Sequence, residues 1–162
     1  MGISDLTKKM IAYSEGNLTD IHHFMKVYAF STIIAKGEGV DKDTLDIVEA
    51  VAILHDIACP LCRKKYSCVD GKYQELEGPA LIRDFLKDSD YSQEFIERIA
   101  YLVGHHHTLT DIDGIDYQIL IEADYFVNSH EMNLDIENIR NMYNKVFRTT
   151  TGRKLLSDMY GL

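Results

Sequence analysis

Ile47-Val48-Glu49-Ala50-Val51-Ala52-Ile53-Leu54 runs directly into His55-Asp56. Only Glu49 interrupts the apolar run, and Asp41 or Asp43 ahead of it can cap a helix, so the stretch reads as a helix ending in two ionisable side chains beside the core. A carboxylate desolvated in such a place becomes neutral unless something pairs with it. A divalent cation removes the conflict, because it turns Asp56 and a neutral His55 into ligands. Further ligands must then come from other segments.

The segments around this run are helical in size and pattern. There are only two prolines, repeats are absent, and turn signals fall at Gly16, Gly37-Glu38-Gly39, Cys59 to Lys72, Gly78-Pro79, Asp111 to Gly114 and Gly152. Between them, helices are expected from Thr19-Asp20 to about Ala35 and from Asp41 or Asp43 to the doublet, with Pro79 in the first turn of another through Leu86. A helix capped by Ser92 should run through Val103 or beyond, followed by Tyr117 to Ser129, Asp135 to Phe147 and Thr151 to Tyr160. The expected fold is an all-α domain of about six to eight helices over residues 1–162. Helices 135–160 should pack on a motif-bearing core of about 20–127.

Seventeen Lys and Arg stand against twenty-six Asp and Glu, a net charge of −9. That field repels nucleic-acid backbones and anionic membrane surfaces, so no polymeric nucleic acid and no membrane is expected as a partner. Met1-Gly2-Ile3-Ser4-Asp5-Leu6 carries no apolar leader and lacks the Ser or Thr of a myristoylation signal, and a cytoplasmic protein is expected. Three cysteines fit a reduced compartment. Cys59-Pro60-Leu61-Cys62, with Cys68 after it, has the spacing of half a zinc site. No second half follows, and the cysteines read as ordinary apolar residues.

Helical spacing sorts the remaining ionisable residues by face. His23 shares the core stripe of Val27, Phe30 and Ile34, whereas His22 aligns with Met25, Lys26 and Ala29. A histidine on such a stripe is most often a satisfied core residue, and His23 gains weight from the others. Gly104-His105-His106-His107-Thr108 closes the helix of Ile99 to Val103. Successive positions diverge by about 100°, so at most two of the three imidazoles can face one pocket. In Glu122-Ala123-Asp124-Tyr125, Asp124 lies with Leu120, Ile121 and Val127, and Glu122 with Gln118, Ile119 and Phe126. Spacing favours Asp124 only modestly.

His23 with Val27 four residues on, Leu54-His55-Asp56-Ile57-Ala58, Gly104 to Thr108, and Glu122 to Tyr125, in this order from about Asp20 to Val127, resemble the HD-domain superfamily of metal-dependent phosphohydrolases. The resemblance implies an HD-type helical bundle in which His23, His55, Asp56 and Asp124 hold one divalent cation, of Mn, Fe, Co, Ni, Zn or Mg. It implies a second cation in some members, whose ligands here would be Glu77, His106 and His107, with His105-His106 as the alternative pair. Relatives carry His where Glu77 stands, and carboxylate favours harder ions.

A lysine that contacts phosphate in many relatives is replaced by Cys59, and Arg63 and Lys64 could take that task or simply form a solvated basic turn. By resemblance the reaction is hydrolysis of a small phosphate ester, a nucleotide or other phosphomonoester, by a water that the cation acidifies. His55, Asp56 and His106 are then the catalytic candidates, a spare imidazole serving as general acid. A mixed-valent di-iron oxygenase and a non-catalytic metal- or nucleotide-binding module are the alternative readings. Met142, Tyr143, Val146, Phe147, Leu155, Leu156, Met159 and Tyr160 form a late stripe that fits core packing or a homodimer face.

Overall fold

The computed structural model describes residues 1–162 and contains no strands. Its helices are α1 (Ile3–Tyr13), α2 (Leu18–Glu38), α3 (Lys42–Leu54), α4 (Cys59–Tyr66), α5 (Gly71–Leu86), α6 (Gln93–Val103), α7 (Ile115–Glu131), α8 (Ile136–Lys145) and α9 (Thr150–Tyr160). Side-chain caps set most of the starts. Asn17 accepts from the Asp20 amide at 3.2 Å, Asp41 from Thr44 at 2.8 Å, Ser92 from Phe95 at 3.2 Å, Asp135 from Asn138 at 2.7 Å and Thr149 from Gly152 at 2.9 Å.

At the centre α2, α3 and α7 pack against one another, α1 and α6 flank α3, α5 lies along α6, and α9 covers α2 and α7. This explains the apolar stretch that ends α3. With neighbours on several sides, Ala50 to Leu54 are all buried and no face is left for polar residues. Helix α7 is enclosed in the same way from Asp116 to Asp124. A single cluster of 31 buried apolar residues joins these helices, and any ionisable group carried inward by α2, α3 or α7 meets it. The late stripe goes mainly to this core: Phe147 and Leu156 are wholly buried, Tyr143, Val146 and Leu155 pack partly against it, and Met159 stays exposed.

The frame departs from the sequence expectation in three places. Helix α1 was not anticipated, and it buries Leu6 and Met10. The segment expected as a loop from Cys59 to Lys72 holds α4, with Pro60 in its first turn, where the missing N–H does no harm. Helix α5 begins at Gly71 and runs through Pro79 rather than starting there. An interior proline costs about 3 kcal/mol through its lost hydrogen bond and ring clash. Burial of Ile82, Phe85 and Leu86, the second of which packs edge-on against Tyr13 of α1, offsets that, because each side chain contributes about 1.5–3 kcal/mol. No helix is long and apolar enough to cross a membrane.

Candidate metal centre

Four helices deliver one cluster of imidazoles and carboxylates. His23 sits in the second turn of α2, His55 caps the C-terminus of α3 with Asp56 next to it, His106 and His107 follow α6, and Asp124 lies on α7. His23 Nε2 is 3.2 Å from His55 Nε2, 3.1 Å from Asp124 Oδ1 and 3.5 Å from Asp56 Oδ2. His55 Nε2 is 3.5 Å from Asp124 Oδ1 and 3.6 Å from Asp56 Oδ2. The other oxygen of Asp56, Oδ1, lies 3.5 Å from His106 Nε2.

The outer nitrogens of these rings decide what the inner ones can do. His23 Nδ1 donates to Glu131 Oε2 at 2.8 Å, His55 Nδ1 to the Ala52 carbonyl at 2.9 Å and His106 Nδ1 to the Val103 carbonyl at 2.8 Å. All three partners only accept, so each neutral ring turns a bare Nε2 lone pair toward the carboxylates. Lone pairs and anionic oxygens then face one another in a buried space, and His106 Nε2 has no hydrogen-bond partner at all. Such an assembly requires positive charge at its centre.

A divalent cation fits that requirement. Two imidazole nitrogens and two carboxylate oxygens suit first-row divalent ions, and ligands bonded at about 2.1 Å around one ion lie about 3 Å apart, close to the spacing of the His23 and His55 nitrogens from each other and from the two carboxylates. Without a cation, protons must serve. Burial pulls the His23 pKa down, but the hydrogen bond to Asp124, the charges of Asp56 and Asp124 and the contact with Glu131 outweigh it and push it up to about 9. Burial opposes charge on Asp56 and Asp124 too, yet the facing imidazoles hold both carboxyls well below their usual range.

A second group adjoins the first. Single ligand atoms of Asp56, His106 and His107 lie within 4.8 Å of one another. The His107 ring packs on the start of α5, where a Cβ at Gly71 would come 2.6 Å from its Cγ, so glycine is needed for that approach. His105 turns away, its Nδ1 donating to the Tyr101 carbonyl at 2.7 Å and its ring stacking on Tyr101. Glu77 is not brought to either group. Its carboxylate accepts from Lys65 Nζ at 2.7 Å and from the Tyr66 hydroxyl at 2.5 Å, because it faces α4 rather than the cluster.

Glu122 and Asp124, which spacing separated only modestly, take different tasks. Glu122 is wholly buried and accepts from Gln118 Nε2 at 2.7 Å, from the amides of Arg148 at 2.6 Å and Thr149 at 2.9 Å, and from the Thr149 hydroxyl. It anchors the start of α9, and Gly152 is required there because a Cβ would collide with its Oε2. Sequence reasoning missed Asn128 and Glu131, which line the cluster with Asp124. Asn128 Nδ2 donates to Asp124 Oδ2 at 2.9 Å, and Glu131 also pairs with Lys26. Positions 124, 128 and 131 follow the i, i+4, i+7 rule, so their shared face was open to inspection.

Above the cluster lies a cleft of about 580 Å³ whose walls include His23, Asp56, Cys59, Arg63, His107 and Asp124. Arg63 stands on its rim, paired with Asp20, while Lys64 is exposed and outside it. A larger cavity of about 650 Å³, lined by Asp43, Asp46, Tyr91, Phe95 and Arg98 among others, includes none of the residues of either group.

Residues 20–139 match the HD domain family. In fold the chain is similar to the crystal structure of a predicted HD superfamily hydrolase from an uncultured Thermotogales bacterium, with a TM-score of 0.71 at 21% identity over 98% of this chain and 84% of that one. No curated protein matches it significantly. The family match spans the helices that carry His23, His55-Asp56, the histidine run and Asp124, and by that match the chain belongs to the HD domain family.

Proposed function

We propose that the protein is a metal-dependent hydrolase of a small phosphate ester, a nucleotide or other phosphomonoester. The observation that carries this reading is the set of bare Nε2 lone pairs and carboxylate oxygens converging beneath an open cleft. His23, His55, Asp56 and Asp124 would hold a divalent cation there. When bound, such an ion supplies a water of pKa lowered to about 7 and positive charge for phosphoryl oxygens.

The chain's own residues supply orientation and proton control. Glu131, the Ala52 carbonyl and the Val103 carbonyl lock the tautomers of His23, His55 and His106, so that the inward nitrogens stay available. Asp56 turns one oxygen toward His23 and His55 and the other toward His106, a disposition suited to serving two ions at once. His106 and His107 are the candidates for that second ion. If it is not bound, His107, on the cleft wall and kept neutral because burial chiefly pulls its pKa down to about 4, is placed to take a proton from an attacking water. The cleft has the volume of a small-molecule site, and the net charge of −9 disfavours a polymeric anion, which supports a small substrate.

The test is a screen of purified protein against phosphomonoesters and nucleotides with Mn, Fe, Co, Ni, Zn or Mg, beside Asp56→Ala. Turnover that falls by about 10³-fold or more in the variant, with helicity retained, is expected. Full turnover in Asp56→Ala removes the site from the chemistry. Two irons per chain with an optical charge-transfer band, and no hydrolysis with any metal, would move the reading to oxygenase chemistry.

A further inference from the structure

Arg63 is the sole lysine or arginine among the residues lining the cleft. The fold fixes where it stands. Helix α4 begins three residues after Asp56, its Cys59 and Cys62 are buried against the core, and Arg63 lies one turn beyond Cys59 on the same side. Asp20, in the first turn of α2, meets its guanidinium end-on, accepting from Nη1 at 2.7 Å and from Nη2 at 2.6 Å. The carboxylate is the inner partner, with 11% of its side chain exposed against 40% for Arg63.

An end-on fork uses one hydrogen from each Nη. It leaves the Nε–H and the neighbouring N–H of one Nη side by side on the other edge, and no group of the protein takes them up. Two parallel donors on a rigid plane match two oxygens of a phosphoryl group. Arg63 and Asp56 line the same cleft, so the guanidinium stands in the cavity that also holds the cluster.

We propose, on the phosphate-ester reading given above, that Arg63 binds the substrate's phosphoryl group through its free edge and that Asp20 is the positioning residue that holds this edge toward the cluster. The pair is neutral as a unit, so it orients a phosphoryl group more than it attracts one. The other carboxylates of the cleft are Asp56 and Asp124, at the cluster, and Glu131, already met by Lys26 and His23. Arg63 is therefore the one side-chain fork that the cleft offers a phosphoryl group.

The alternative is that Asp20 and Arg63 merely tie α4 to α2. Arg63→Gln, Arg63→Lys and Asp20→Asn separate the two roles when KM, kcat, melting temperature and Mn affinity are measured together. We expect Arg63→Gln to raise KM for a phosphomonoester by about 10- to 100-fold with kcat changed far less. Arg63→Lys should not rescue it, because an ammonium cannot fork. Asp20→Asn should raise KM by a smaller factor, and Mn affinity should hold in all three. A lowered melting temperature with KM within about twofold of the parent in every variant overturns the proposal in favour of the tie, and unchanged values throughout overturn it as well. Binding of inorganic phosphate to the Mn-loaded protein gives a readout independent of turnover. If no phosphate ester is hydrolysed, the functional reading fails, while weaker phosphate binding in Arg63→Gln still supports the anion subsite and equal binding refutes it.

Discussion

Glu122 and Asp124 are two buried carboxylates two residues apart on α7, and they differ in what surrounds them. Every partner of Glu122 is a donor from the protein itself: two backbone amides, a hydroxyl and a side-chain amide. Asp124 has one such donor, Asn128, and otherwise faces the Nε2 atoms of His23 and His55, which are bare in the neutral rings, with Asp56 close by. Burial does not tell these two carboxylates apart. The supply of donors does: a carboxylate satisfied by the chain is structural, and one left facing other acceptors needs something from outside.

The contrast is broken most sharply by changing each carboxylate to its amide. Asp124→Asn should reduce metal affinity and metal-dependent turnover by about 10³-fold or more, since the ligand charge is lost. It should cost the cation-free fold little, because the new amide can donate to a bare imidazole nitrogen. Glu122→Gln should do the reverse. Its amide hydrogens would oppose donors that need an acceptor, costing on the order of 3 kcal/mol, or roughly 6–12 °C in melting temperature. Metal binding per folded molecule should hold. Thermal melts and metal titrations of both variants check this, and equal stability losses would erase the distinction between the two sites.

The same contrast shows what the sequence could and could not reveal. Helix positions and the His55-Asp56 doublet were legible because apolar periodicity and caps act locally. The choice of Asp124 over Glu122 was not, since the donors that satisfy Glu122 arrive from Arg148 and Thr149, far along the chain. Glu77 and Lys65 illustrate the same limit. Their pairing depends on α4 folding where turn residues suggested a loop, and the burial of Cys59 and Cys62 decides that. Asp20 also gave no signal, because its partner Arg63 lies on a different helix.

Glu131 offers a gentler way to sharpen the comparison. It touches the cluster only through His23 Nδ1, holding the ring with its other nitrogen inward. Glu131→Gln keeps an acceptor for that N–H but removes the charge that supports the ring's basicity. Metal affinity should fall by about 10- to 100-fold, with less effect on the fold than Glu122→Gln. A calorimetric titration with Mn measures it, and an unchanged affinity would show that Glu131 serves Lys26 alone.

The smallest effect expected, at most about tenfold for each pH unit, is a graded response to pH. His23 has its pKa raised from about 6.5 to about 9 in the cation-free protein, so at neutral pH it carries a proton that an incoming metal must expel. The sign follows from that displacement. A group whose pKa is higher in the folded state stabilises the cation-free fold fully below about 6.5, and this contribution fades as pH rises through about 9. Metal affinity moves the other way, climbing toward one order of magnitude per pH unit while one proton is displaced and levelling off above about 9. Between pH 6 and pH 8 the gap in melting temperature between Mn-loaded and cation-free protein should therefore widen. A Mn affinity that stays flat across this range, with no proton released in weakly buffered titrations, would mean that the lone pair of His23 is already free and that Asp56 and Asp124 do not hold a proton on it.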